Sequence, residues 1–214
     1  MTRDYYKILL VGSSGKGKTY SFRNLDPNTT GFINIEDKPL PFPNKFKYHS
    51  RPKNTVEVKK ALKEYAENAE IKCICVDSFS AYVDLLLQEC RLSKKGFDIW
   101  NLYNEEIGKL FAFIKSIEKE VFITTHYEIL GIEGNMEKRA KVKGKEWEGV
   151  IEKEFTIVLY SDSKINDKGV PEYFYHSFLE GTSAKCPPGI LGEGVFKIEN
   201  DVNIILDKIK EFIK

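Results

Sequence analysis

The chain has 214 residues, 42% of them hydrophobic and 30% charged, with a formal net charge of +1. This balance fits a globular chain with one substantial core and excludes a disordered polyelectrolyte, and it leaves any nucleic-acid affinity to local basic patches. No apolar run approaches the roughly 20 residues of a membrane span, no Pro/Gly/Ser-rich linker divides the chain, and residues 1–7 are too polar for a secretory leader, so one domain over 1–214, no membrane partner and a cytoplasmic location are expected.

The first element is an apolar strand over 6–11, which runs into "GSSGKGKT". Gly12, Ser13, Ser14, Gly15, Lys16, Gly17, Lys18 and Thr19 satisfy G-x-x-x-x-G-K-[ST] at every fixed position. Glycines let the backbone wrap phosphates, Lys18 reaches the β and γ phosphates, and the Thr19 hydroxyl ligates Mg2+. Tyr20 follows directly and is grouped with the loop as a nucleotide contact. The chain beyond is expected to start a helix whose N–H groups point at the anion. Lys16 is grouped with the loop as a phosphate contact, although an exposed loop lysine is the favoured reading of it.

A second strand, 32–35, ends in Glu36 and Asp37. In 55–69, Val58, Ala61, Leu62, Tyr65, Ala66 and Ala69 recur at spacings of three and four, predicting one apolar helix face. The run "KCICVDS" is a buried strand ending in a carboxylate. A buried acid is costly unless paired or metal-linked, so Asp77 is a candidate magnesium residue; a helix N-cap is the other reading of this position. No glutamate follows Asp77, so the water-activating base must come from elsewhere. Glu36, whose strand opens onto the same sheet edge, is the candidate, with Asp37 as the alternative.

A long helix follows, with Trp100, Tyr103, Ile107, Leu110, Phe111, Ile114 and Ile117 on one apolar face. The strand 121–125 then carries Thr125 and His126 to a polar tip, where either side chain could report the γ-phosphate. Strands alternating with helices imply crossovers, hence an α/β fold with a mainly parallel sheet flanked by helices. Shorter strands at 128–132, 155–160 and 172–179 predict C-terminal antiparallel hairpins extending that sheet. The last helix starts at the N-cap Asp201. Cysteines at 73, 75, 90 and 186 form no CxxC pair, so reduced thiols are expected.

Together "GSSGKGKT", "FINIED", "CICVDSFSAY" and "VFITTH" resemble, in order and spacing, the P-loop ATPase core of RecA-like recombinases over roughly the first 130 residues. The resemblance implies an enzyme that binds ATP and Mg2+ and hydrolyses the nucleotide. It also implies that Glu36 activates water, that Asp77 and Ser78 serve the metal, and that His126 senses the γ-phosphate, where RecA itself has glutamine. The short length and the tail "SFLEGTSAKCPPGILGEG" are similar to small phage-encoded RecA-like ATPases, including single-strand annealing proteins. That likeness implies phage recombination or replication inside the host cytoplasm and a homo-oligomer with ATP between subunits. It further implies single-stranded DNA and a single-strand-binding protein as partners, and Lys185 as a trans-acting phosphate contact.

Lys138, Arg139, Lys141, Lys143 and Lys145 crowd one stretch of 127–154, the expected place of a DNA-binding loop in such proteins. Phosphate neutralisation there would give salt-sensitive, sequence-independent binding. Phe97, Trp100, Tyr103 and Trp147 offer stacking surfaces, although the spacing of Trp100 and Tyr103 also suits core packing. A solvated basic hairpin is the competing reading. Two other functions compete with a DNA-directed ATPase: an ATP-gated assembly scaffold with little turnover, and a small-molecule phosphotransferase. The phosphotransferase is disfavoured by having only five arginines and no Arg-rich lid.

Overall fold

Apolar side chains along the strands alternate between two buried layers, and that alternation sets the architecture. The structure is a computed structural model and describes residues 4–132, 135–192 and 194–214. Residues 133–134 of the expected basic hairpin and Glu193 of the tail segment fall outside the described residues.

In chain order the elements are β1 (Lys7–Val11), a single 3-10 turn (Thr19–Phe22), β2 (Thr30–Asn34), β3 (Tyr48–Ser50), α1 (Thr55–Glu67), β4 (Cys73–Asp77), α2 (Phe79–Ser93), α3 (Asp98–Ser116) and β5 (Glu120–Thr125). There follow β6 (Tyr127–Ile132), β7 (Asn135–Ala140), a second 3-10 turn (Ile151–Glu154), β8 (Ile157–Ile165), β9 (Pro171–His176), β10 (Lys197–Glu199) and α4 (Val202–Phe212). Eight strands form one sheet in the order β10-β9-β8-β1-β5-β4-β2-β3. From β8 to β3 all neighbours run parallel, and β9 and β10 add an antiparallel end. The expected α/β class, with a mainly parallel sheet and a C-terminal antiparallel hairpin, is therefore the observed one.

Leu9, Val11, Ile33, Ile74, Val76, Val121, Ile123 and Val158 face a core closed by α1, α2 and α3. The intervening Ile8, Leu10, Phe32, Cys73, Cys75, Phe122, Ile157 and Leu159 face the opposite layer. There α4 contributes Val202, Ile205 and Ile209, the first 3-10 turn supplies Phe22, and loop chain supplies Leu25, Ile190 and Leu191. Each such fully buried side chain contributes on the order of 1.5–3 kcal/mol against exposure. Asn54, Ser78 and Asp201 cap α1, α2 and α4 through their side chains.

Two expectations need correction. No α-helix follows the glycine-rich loop; the chain makes only the four-residue turn Thr19–Phe22 before turning at 24–29. Asn24, Asp26 and Pro27 stop it: Asp26 accepts from Asn28 N and the Thr29 hydroxyl, and Pro27 has no N–H to continue a helix. The ribbon β6–β7 forms a separate two-stranded sheet, bridged at Lys138 to Thr182, and does not extend the main sheet. The free edge of β8 is already taken by β9, and Ala140 is the ribbon's one fully buried residue among those described. Among the described residues, no helix is long and apolar enough to cross a membrane.

Candidate functional site

Parallel register brings the C-terminal ends of five strands to one edge of the sheet. Val11 lies opposite Thr125 and Tyr160, and Asn34 lies opposite Asp77. The loops leaving these ends therefore meet, which is where open α/β sheets bind ligands. They enclose a cleft of about 430 Å³ lined by Lys18, Thr19, Glu36, Lys38, Asp77 and His126, with Ser14, Gly15, Gly17, Tyr20 and Tyr173 around them.

The glycine-rich loop is tied down on both sides. Gly12 N donates to Thr125 O at 3.1 Å, and the Ser161 hydroxyl donates to Lys16 O. Gly17 has φ +83°, and a Cβ there would stand 2.8 Å from the Tyr173 ring, so both the backbone and the close packing demand glycine. Lys18 is buried, and its ammonium donates to Gly12 O at 2.7 Å and Ser13 O at 2.9 Å. Burial lowers its pKa to about 8, against the opposing pull of Asp77 and Glu36. The Lys16 ammonium turns away from the cleft to Asp162 at 2.8 Å and Ser163 at 3.2 Å.

Asp77 is buried at the end of β4, beyond the apolar run that pairs with β5. Its Oδ2 accepts from the Thr19 hydroxyl at 2.9 Å, and its Oδ1 accepts from the Thr124 hydroxyl. Burial raises its pKa, with those two hydrogen bonds opposing. The N-cap reading goes to its neighbour: Ser78 Oγ accepts from Ala81 N, and the Asp77–Ser78 peptide is cis. The Thr19 hydroxyl and the Asp77 carboxylate are hard oxygen donors of the kind Mg2+ takes. Among the described residues no group of three His, Cys, Asp or Glu could hold a metal. An ion at this pair would draw its remaining ligands from water and nucleotide.

Glu36 follows β2 and hangs on β4 through Ile35 N and Glu36 N, which both donate to Asp77 O. Its Oε1 accepts from Ser78 Oγ at 3.0 Å, and its Oε2 pairs with Lys38 Nζ at 2.7 Å. Burial pushes this carboxyl up, but the bonds from Lys38 and Ser78 outweigh it and the pKa ends lowered. Asp37 is turned elsewhere, with φ +55° and ion pairs to Lys53 and Arg51. His126 Nδ1 lies 3.2 Å from Gly12 O and 3.5 Å from Lys18 Nζ, and Nε2 lies 3.8 Å from Glu36 Oε1. Burial, then the Lys18 charge, lowers its pKa, so the ring is neutral near pH 7. The Thr125 hydroxyl is buried against Ser80 Oγ at 3.0 Å instead.

Of the sequence-predicted residues, then, Lys18, Thr19, Glu36, Asp77 and His126 converge. Sequence reasoning missed Thr124, Lys38 and Tyr173. Thr124 carries a readable signal, a hydroxyl residue inside an apolar strand two positions before the tip. Tyr173 carries none, because it arrives from a strand more than 150 residues away in the chain.

A family profile described as "AAA domain" matches residues 4–186. The chain belongs to this AAA-domain family. Among solved structures, one match to this AAA domain is titled crystal structure of the RadB recombinase, with TM-score 0.46 and 10% identity, covering 79% of this chain and 86% of that one. A likeness at that level carries no argument about function. No curated protein matches the sequence.

The basic stretch of the AAA domain is mixed in exposure. Lys138 and Arg139 lie on β7, where Arg139 Nε bonds Glu137 at 2.9 Å and Lys138 Nζ stands 5.2 Å from the Tyr127 ring centre. Lys143 pairs with Asp84 at 3.5 Å, while Lys141 and Lys145 are exposed. Trp147 packs on Phe111, Trp100 packs edge-on against the buried Tyr103, and Phe97 alone of the four candidate stacking aromatics is widely exposed. Lys185 is exposed, and its backbone pairs with Val158.

Proposed function

We propose that residues 1–214 act as one RecA-like ATPase domain that binds ATP with Mg2+ and acts on single-stranded DNA in recombination or replication. The observation that carries this reading is the meeting of Lys18, Thr19, Asp77, Glu36 and His126 on one cleft at the carboxyl edge of the parallel strands. The loop amides of 12–19 and the Lys18 ammonium take the phosphate chain. Tyr20, at the cleft wall, contacts the nucleotide beyond them. Thr19 and Asp77 would hold Mg2+, which would neutralise charge building on the phosphate oxygens.

In hydrolysis the Glu36 carboxylate takes a proton from a water whose oxygen bonds to the terminal phosphorus, while the bond from that phosphorus to the bridging oxygen breaks and ADP leaves. His126, neutral and set between Gly12 O and Glu36, reports the terminal phosphate to the basic stretch through its own carbonyl, which accepts from Lys141 N at 2.8 Å. Exposed Lys141 and Lys145, with Lys138, Arg139 and Lys143 beside them, are the proposed DNA contacts. In a homo-oligomer Lys185 is the proposed contact to a neighbour's nucleotide. The phage setting, the host-cell location and a single-strand-binding protein as partner rest on the sequence resemblance.

The test is calorimetry with Mg-ATP, then turnover with and without single-stranded DNA, beside sizing with a non-hydrolysable analogue. DNA-stimulated turnover supports the reading. Tight ATP binding and assembly with negligible turnover favours the scaffold, and the absence of any nucleotide binding overturns the site.

A further inference from the structure

The cleft holds a second lysine that the motifs do not account for. Among its described lining residues only Lys18 and Lys38 carry ammonium groups. Lys18 is buried and fixed by two loop carbonyls. Lys38 is built the opposite way. Its root is rigid: Lys38 O accepts from the Asn34 carboxamide at 2.8 Å, Asn34 is itself buried, and Pro39 restricts the backbone of the residue before it. Its head is free, with a side chain 76% exposed and one carboxylate partner, Glu36, at 2.7 Å. That partner is the very group proposed to accept the proton from water.

We propose that Lys38 is a terminal-phosphate contact that also latches Glu36: its ammonium leaves the carboxylate for the last phosphate of a bound nucleoside triphosphate, and the departure frees Glu36 to act as base. This inference rests on the nucleotide reading of the cleft. Three observations support the exchange. An exposed ion pair is weak, whereas a terminal phosphate offers more charge and three acceptor oxygens. The charge of Lys38 is already felt by both Lys18 and Asp77, so the head lies within the field of the phosphate site. Glu36 does not collapse when Lys38 leaves, because Ser78 Oγ still donates to Oε1 and the backbone N–H groups of 35 and 36 remain on Asp77 O. A diphosphate lacks the third phosphate that Lys38 would reach, so with ADP the latch stays closed. The device therefore makes both affinity and base strength specific to the triphosphate.

The experiment measures affinities of ADP and of a non-hydrolysable ATP analogue, each with Mg2+, for the full chain, Lys38→Met and Lys38→Arg. Lys38→Met is expected to weaken the triphosphate analogue about tenfold or more, the size of one charge-assisted hydrogen bond. It should leave ADP within about twofold, and Lys38→Arg should recover most of the loss. An unchanged triphosphate-to-diphosphate ratio in Lys38→Met, or equal weakening of both ligands, overturns the inference while leaving the cleft reading intact. If the unmodified chain binds neither nucleotide, the cleft reading fails and this inference falls with it.

Discussion

Lys18 sits at a cost to the fold, and the cost can be measured. Its ammonium is buried between Gly12 O and Ser13 O, and burial takes its pKa from 10.5 to about 8. Between those values the unfolded chain binds more protons than the folded one, so the penalty is largest below pH 8 and fades as pH rises toward 10.5. Integrating the two titrations gives a penalty of about 3 kcal/mol near pH 7 and about 1.4 kcal/mol at pH 9.5. Lys18→Met has no such titration. The stability of the unmodified chain relative to Lys18→Met should therefore improve by about 2 kcal/mol between pH 7 and pH 9.5. Urea melts of both proteins at several pH values, without nucleotide, read this difference directly. The buried tyrosines titrate alike in both chains and cancel. Parallel stability curves across that range would refute the claim that burial disfavours the Lys18 ammonium. The same variant should lose triphosphate binding, which ties the destabilising charge to its proposed use.

Glu36→Gln should keep ATP affinity within a few fold and lose about 10²- to 10⁴-fold in turnover, as removal of a general base does; near-normal phosphate release would show that the base lies elsewhere. Gly17→Ala should destabilise by about 1–3 kcal/mol from its φ of +83° and from the Tyr173 ring, and it should weaken nucleotide binding. Adding Tyr173→Ala should recover the steric part only, and strict additivity in a double-mutant cycle of melting data would deny the contact. Neutralising Lys141, Lys143 and Lys145 together should weaken single-stranded DNA binding to all sequences alike and reduce its salt slope by about 2. Unchanged affinity in a salt titration removes that stretch from the DNA interface.

Much of the site could be read before the fold because its parts are local in the chain. The loop 12–19 is a contiguous motif, and Asp77, Glu36 and His126 each follow a short apolar run whose end the polar residue marks. Parallel strands deliver their ends to one edge, so three separate strand tips became one cleft. Other features were not legible. The missing helix after Thr19 reflects the local hydrogen bonds of Asp26 and the missing N–H of Pro27, which win over an amphipathic start only seven residues long. The separation of β6–β7 from the sheet depends on β9 occupying the edge of β8, a pairing that no local pattern carries. Lys38 was passed over because a lysine two residues after a glutamate looks like an ordinary exposed charge; only the cleft around it shows what it faces.

The hold of β8 and β9 on the glycine-rich loop has a consequence for how the chain matures. Ser161, Asp162, Ser163 and Tyr173 touch Lys16 and Gly17 across about 150 residues of sequence. As a nascent chain leaves the ribosome, every signature residue of the cleft emerges long before the hairpin that braces its phosphate grip. With so little helix behind the loop to stiffen it, competence for ligand should come late in synthesis, after the hairpin docks, rather than when the motif itself first appears.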